Sequence, residues 1–121
     1  MSVVAFPRAP EPIDPRDTLM TEAQLLSRCI GLAQWLGLKY FHSYSGLVCQ
    51  VGYPDLTIAG PCGFIIRECK AAYGTLSEAQ EAWRLELRAA GVNYAVWTPA
   101  DWRLNRCQEQ MHALAGMELA A

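Results

Sequence analysis

The sequence predicts an α/β fold: a mixed sheet flanked by helices, in the order α-β-β-β-α-β-α. Three observations lead there. Thr21 to Gly37 and Ser77 to Gly91 each open on a capping signature (Thr21 with Gln24, Ser77 with Gln80) and close on glycine, which marks two helices. Between them, two apolar, β-rich runs flank Gly60-Pro61-Cys62-Gly63, the composition of a hairpin turn. A further β-rich run, Val92-Asn93-Tyr94-Ala95-Val96-Trp97, follows the second helix. Strand, helix and strand in that order make a right-handed crossover, so the last strand lies parallel to the one before the helix.

The elements follow in chain order. Residues 1–20 carry four of the seven prolines (Pro7, Pro10, Pro12, Pro15) among Glu11, Asp14, Arg16 and Asp17, with no periodicity. They are expected to form a flexible, Pro-rich arm ahead of one domain over residues 21–121. In the first helix Leu25, Leu26, Cys29, Ile30, Ala33 and Leu36 form the apolar stripe. Lys39 to Tyr44 is aromatic enough for a strand, with Tyr40, His42 and Tyr44 expected to pack within it. A loop from Ser45 to Gly52 leads to the hairpin, whose strands are expected over Tyr53–Ile58 and Phe64–Lys70. The second helix presents Trp83, Leu87 and Ala90 on one side. Thr98-Pro99-Ala100-Asp101 then opens a closing helix, with proline in its first turn.

Composition narrows the class. A chain of 121 residues, 52% hydrophobic and 18% charged, fits one globular domain with a core of its own. It contains no apolar run near the roughly 20 residues of a membrane span and no basic-then-apolar start of a secretory signal, so a cytoplasmic location is expected. The five cysteines (Cys29, Cys49, Cys62, Cys69, Cys107) are odd in number and never spaced C-x-x-C. They are expected to be small, buried, reduced hydrophobes rather than disulfides or a zinc knuckle. The net charge of −2 does not advertise nucleic-acid binding, and setting aside three metal-neutralised carboxylates brings it only to +1.

The hairpin carries the chemistry. With the turn centred between Pro61 and Cys62, Gly60 pairs with Gly63 and Asp55 falls opposite Glu68. Alternation puts Lys70 on the same face. Like charges directly opposite each other destabilise a sheet unless a cation lies between them, and a hard divalent ion bound by two carboxylates resolves the conflict. Glu22 stands in the first turn of the first helix, three, four and seven residues before Leu25, Leu26 and Cys29 of the inward stripe. It either reaches this cluster or is a solvated first-turn glutamate favoured by the helix dipole. Gln80 either only caps its helix or also projects from the helix start towards Lys70.

Pro54-Asp55 followed by Glu68-x-Lys70 resembles the PD-(D/E)xK nuclease signature. The wider string resembles the VRR-NUC group within it, the virus-type replication and repair nucleases. It comprises Thr21-Glu22, Gly52-Tyr53-Pro54-Asp55-Leu56, Arg67-Glu68-Cys69-Lys70, Gly74-Thr75-Leu76-Ser77-x-x-Gln80, and Ala89-Ala90-Gly91 to Trp97-x-Pro99-x-Asp101-Trp102. The resemblance spans about residues 20 to 105. It departs in Tyr53 where phenylalanine is commoner, in the cysteine between Glu68 and Lys70, and in the apolar Leu47-Val48-Cys49 before the motif.

The resemblance implies a restriction-endonuclease-like α-β-β-β-α-β core and Mg2+- or Mn2+-dependent hydrolysis of DNA phosphodiesters. For small stand-alone members it implies homodimers acting on branched DNA such as Holliday junctions, and a phage or bacterial source. By the same likeness Asp55, Glu68 and the backbone carbonyl of Cys69 bind metal, and Glu22 completes the acidic cluster. Lys70 orients or deprotonates the attacking water, and Gln80 supports the site. Arg67, Arg84, Arg88, Arg103, Arg106 and Lys39 are the cations expected to meet DNA. Two other readings stand beside the nuclease: a non-catalytic nucleic-acid-binding module of the same fold, and a protein with a purely structural metal site. The intact Asp55, Glu68 and Lys70 set counts against the first, and the adjacent Lys70 against the second.

Overall fold

A computed structural model describes residues 12–43 and 50–118. Tyr44, the Leu47-Val48-Cys49 segment and residues 1–11 of the expected arm lie outside the described residues. The order is α1 (Glu22–Trp35), β1 (Lys39–His42), β2 (Leu56–Gly60), β3 (Gly63–Cys69), α2 (Glu78–Ala89), β4 (Tyr94–Trp97), α3 (Pro99–Arg103) and α4 (Arg106–Ala115). One four-stranded sheet runs β1-β2-β3-β4. Its first two pairings are antiparallel and the last is parallel. The α/β class, the mixed sheet and the crossover are as the sequence predicts.

Both capping boxes form. The Thr21 hydroxyl accepts from the Gln24 amide while Gln24 Oε1 accepts from Thr21 N–H, and Ser77 with Gln80 repeats the arrangement. Each box satisfies two of the donors that a helix start leaves open. Gly37 and Gly91, at φ 70° and 77°, take the left-handed turn that ends each helix.

The core lies on one face of the sheet. Leu25, Cys29 and Ala33 of α1, with Cys107, Met111 and Leu114 of α4, pack on Leu56, Ile58, Ile65, Cys69 and Trp97. The other face carries Ile66, Glu68 and Tyr94, all buried, on the side of the crossover helix α2. That helix buries none of its own residues completely, so it lies lightly on the sheet.

The hairpin turn is held by the far end of the chain. Cys62 N–H donates to the Leu114 carbonyl at 3.0 Å. Gly60 comes so close to the same helix end that a Cβ there would stand 2.5 Å from that oxygen. Only glycine fits.

Five expectations need correction. The closing helix is two helices, α3 and α4, because Asn105 takes φ 62°, a left-handed conformation that asparagine tolerates. The arm does not stay irregular to residue 20: Pro15–Leu19 is a 3-10 turn whose buried Asp17 accepts from Arg103 at 2.9 Å. β1 is an edge strand on which Lys39, Tyr40 and Phe41 are exposed, so its aromatics do not pack in a core. Cys62 is exposed at the hairpin turn, whereas Cys29, Cys69 and Cys107 are buried as expected. Arg67 is not a surface cation. It is 3% exposed, because alternation along β3 puts it on the core face with Ile65 and Cys69. Its five N–H groups reach Gln110 Oε1, the Ile66 carbonyl, and the carbonyl and side chain of Asn93, and its guanidinium stands over the Trp97 ring.

Candidate metal centre

The turn sets the register. Gly60 pairs with Gly63 and Leu56 with Arg67, so Asp55, one residue ahead of β2, falls across from Glu68. The two carboxylates therefore meet on the face predicted from the turn. α1 adds the third: carboxylate oxygens of Glu22, Asp55 and Glu68 all lie within 4.8 Å of one another. Glu22 thus reaches the cluster, the first of its two readings.

Each carboxylate is positioned differently. Asp55 Oδ2 accepts from the Cys69 amide at 2.8 Å, which fixes its side chain against the end of β3. The Asp55 carbonyl accepts from Ser43 N–H at 2.9 Å, and the Ser43 hydroxyl donates to the Pro54 carbonyl. Glu68 is 1% exposed. Its Oε1 accepts from Gln80 Nε2 at 3.3 Å. Gln80 caps α2 with its oxygen, and its nitrogen holds Glu68 rather than reaching towards Lys70.

The second oxygen of Glu68 is the unusual one. Oε2 is buried and receives no donor from the described residues. The group beside it is the Asp55 carboxyl, another acceptor, so the pair needs a shared proton or a cation. In the absence of a cation, burial pushes the Glu68 carboxyl up to about 9. A hydrogen bond to Asp55 and the charges of Asp55 and Glu22 add to the rise, and Lys70 opposes it. A buried acceptor left without a donor costs roughly 1–3 kcal/mol, more when charged. Three convergent hard oxygens with one of them orphaned suit a hard divalent cation, so the residues present fit such an ion.

Lys70 follows β3 directly. Its amide donates to the Trp97 carbonyl at 2.9 Å, its side chain is half-buried, and its charge is felt at Glu68. Cys69, whose carbonyl the resemblance assigns to metal, is the last residue of β3 and is fully buried. The expected cationic rim is thinner than the sequence suggests. Besides buried Arg67, Arg84 pairs with Glu81, Arg103 with Asp17 and Asp14, and Arg106 with Asp101.

Sequence reasoning missed what holds the approach to Asp55. Trp83 Nε1 donates to the Val51 carbonyl at 3.2 Å, and its ring meets Tyr53 edge to face, centroids 4.9 Å apart. Nothing in a sequence joins residues 32 positions apart. Trp83 read only as an apolar helix residue.

Comparison with protein-family models, with curated proteins and with solved structures yields no match.

Proposed function

We propose that the chain is a divalent-metal-dependent DNA endonuclease of the VRR-NUC kind, with a restriction-endonuclease-like core. It would hydrolyse phosphodiester bonds with Mg2+ or Mn2+. The observation that carries the proposal is the buried, donorless Oε2 of Glu68 among the oxygens of Asp55 and Glu22. A fold without a bound cation gives no reason to bury that oxygen beside a second carboxylate.

Asp55, Glu68 and Glu22 hold the ion, with the Cys69 carbonyl as the further donor that the resemblance implies. When bound, the ion supplies a Lewis acid to the scissile phosphate and lowers the pKa of a bound water. Gln80 keeps Glu68 Oε1 engaged, and the Cys69 amide keeps Asp55 in place. Lys70 orients the attacking water and offsets the charge growing on the phosphate. Water loses a proton to solvent as its oxygen bonds to phosphorus, the bond from phosphorus to the 3′ oxygen breaks, and that oxygen takes a proton from solvent, leaving a 5′-phosphate and a 3′-hydroxyl.

The resemblance further supports a homodimer acting on branched DNA. One domain of this size holds one such centre, and a four-way junction needs two strands cut, which a two-fold dimer supplies. No helix among the described residues is long and apolar enough to cross a membrane, and a cytoplasmic enzyme of phage or bacterial origin fits this reading.

The test is incubation of labelled single-stranded, duplex, flap and four-way-junction DNA with the protein in Mg2+, Mn2+ or EDTA. Cleavage is expected with either metal. It should disappear in EDTA and in Asp55→Asn, Glu68→Gln and Lys70→Ala, with the variants still folded by circular dichroism. Cleavage that persists in EDTA or in Lys70→Ala refutes the assignment. Light scattering alongside separates the dimer from the chemistry: a monomer that nicks duplex and junction equally removes junction resolution and leaves the nuclease.

A further inference from the structure

Sheet pairing begins at Leu56, so the four residues leading into Asp55 are held by something else. Three of them rest on α2. The Val51 carbonyl accepts from Trp83 Nε1 at 3.2 Å. Gly52, at φ 83°, lies against Ala79 so closely that a Cβ would stand 2.5 Å from the Ala79 carbonyl carbon. Tyr53 stacks edge to face on Trp83 with an interplanar angle of 85°. The fourth, Pro54, is buried and its carbonyl accepts from the Ser43 hydroxyl, whereas Val51 is 76% exposed and has α2 as its anchor.

The same helix holds the other carboxylate. Gln80, one turn before Trp83, donates to Glu68. Residues three apart on a helix share a side, so the start of α2 reaches Glu68 through Gln80 and Asp55 through the strap. Tryptophan suits this place because one side chain offers both a flat apolar ring and an N–H donor.

The geometry points to Trp83 as a positioning residue of the metal centre: it clamps Val51-Gly52-Tyr53 on α2 and so sets where Asp55 stands relative to Glu68. The inference rests on the metal reading of Asp55 and Glu68 and adds a residue to it that touches neither ion nor substrate. Residues that orient metal ligands from behind affect affinity more than they affect folding.

The test is Mn2+ titration of the full chain by calorimetry, with urea unfolding of the metal-free protein alongside. Trp83→Phe keeps a ring for Tyr53 and removes the donor to Val51. It should bind Mn2+ about tenfold more weakly than the wild type. Leu87→Ala, one turn further along α2, is the control: it should lower the urea midpoint at least as much as Trp83→Phe and leave Mn2+ affinity within about twofold. Tyr53→Leu removes the partner of the clamp without altering α2; it too should weaken Mn2+ binding, and it carries the test if Trp83→Phe fails to fold. Wild-type affinity in Trp83→Phe, or in Tyr53→Leu where that variant carries the test, overturns the inference, as does equal weakening in Leu87→Ala. A wild-type protein that takes up no Mn2+ removes the metal reading itself, and the inference with it.

Discussion

Glu68→Gln should abolish a pH dependence that the metal-free protein owes to one carboxyl. In the wild type Glu68 is buried beside Asp55, with Glu22 and Lys70 as the other charged groups acting on it, and its pKa stands at about 9 against an ordinary 4.5. Between those values the folded protein holds a proton that the unfolded chain has released. The folded state binds more protons there, so stability falls as pH rises. The full contribution is present below about 4.5 and is lost progressively towards about 9. From pH 5.5 to 8.0 the loss is at most roughly 3–4 kcal/mol, at about 1.4 kcal/mol per unit. In Glu68→Gln the amide carries no charge at any of these pH values, and its nitrogen can donate to Asp55. Urea unfolding in EDTA at several pH values reads the difference as a midpoint gap of roughly 1–2 M at pH 8.0 in favour of the variant, closing towards pH 5.5. Saturating Mn2+ should flatten the slope in the wild type by taking the proton's place, and should do nothing in the variant. Parallel slopes in the two proteins without metal would refute the reasoning.

Three further outcomes are expected. Glu22→Gln should weaken Mn2+ binding severalfold while helical circular dichroism is unchanged, because Thr21 and Gln24 still cap α1; an unaltered titration returns Glu22 to the role of a first-turn residue. Gly52→Ala combines a strained φ with a collision against the backbone of Ala79, and should cost about 1–3 kcal/mol in urea unfolding together with metal affinity. Arg67→Met removes the buried fork that ties β3 to Asn93 and Gln110; it should cost roughly 2–4 kcal/mol. The affinity of the remaining folded protein for DNA should be unchanged in a binding titration, since the guanidinium faces no solvent.

The register of the site was legible because it is local. Gly60-Pro61-Cys62-Gly63 leaves little choice of turn, and the turn places Asp55 across from Glu68. Capping boxes are local too, which is why α1 and α2 begin where the sequence says. Arg67 shows a signal that was present and overridden. It alternates with Glu68 and belongs with Ile65 and Cys69, yet its charge argues for the surface, and the neutral acceptors that hold it, Asn93 just ahead of β4 and Gln110 on α4, lie far along the chain. The break at Asn105 turns on a single residue adopting a left-handed conformation, which a polar residue in a helical stretch does not announce. Gln80 could be read as a cap or as a site residue because its amide has two ends, and only their neighbours in space show that both are used. The Trp83 clamp and the Asp17–Arg103 pair join distant parts of the chain and leave no periodic trace.

The bond from Cys62 to the Leu114 carbonyl and the tight fit of Gly60 beside it give the molecule a sequence of events during synthesis. The hairpin leaves the ribosome complete by Lys70, while the helix end that clasps its turn is made much later. By Lys70 α1 and β1 are also made, so three strands and one helix can assemble, but α4, which covers the rest of the core face, is still missing. The clasp on the turn closes when α4 docks. Chains stalled before residue 114 would therefore exchange the amides at the hairpin turn faster than the finished protein does.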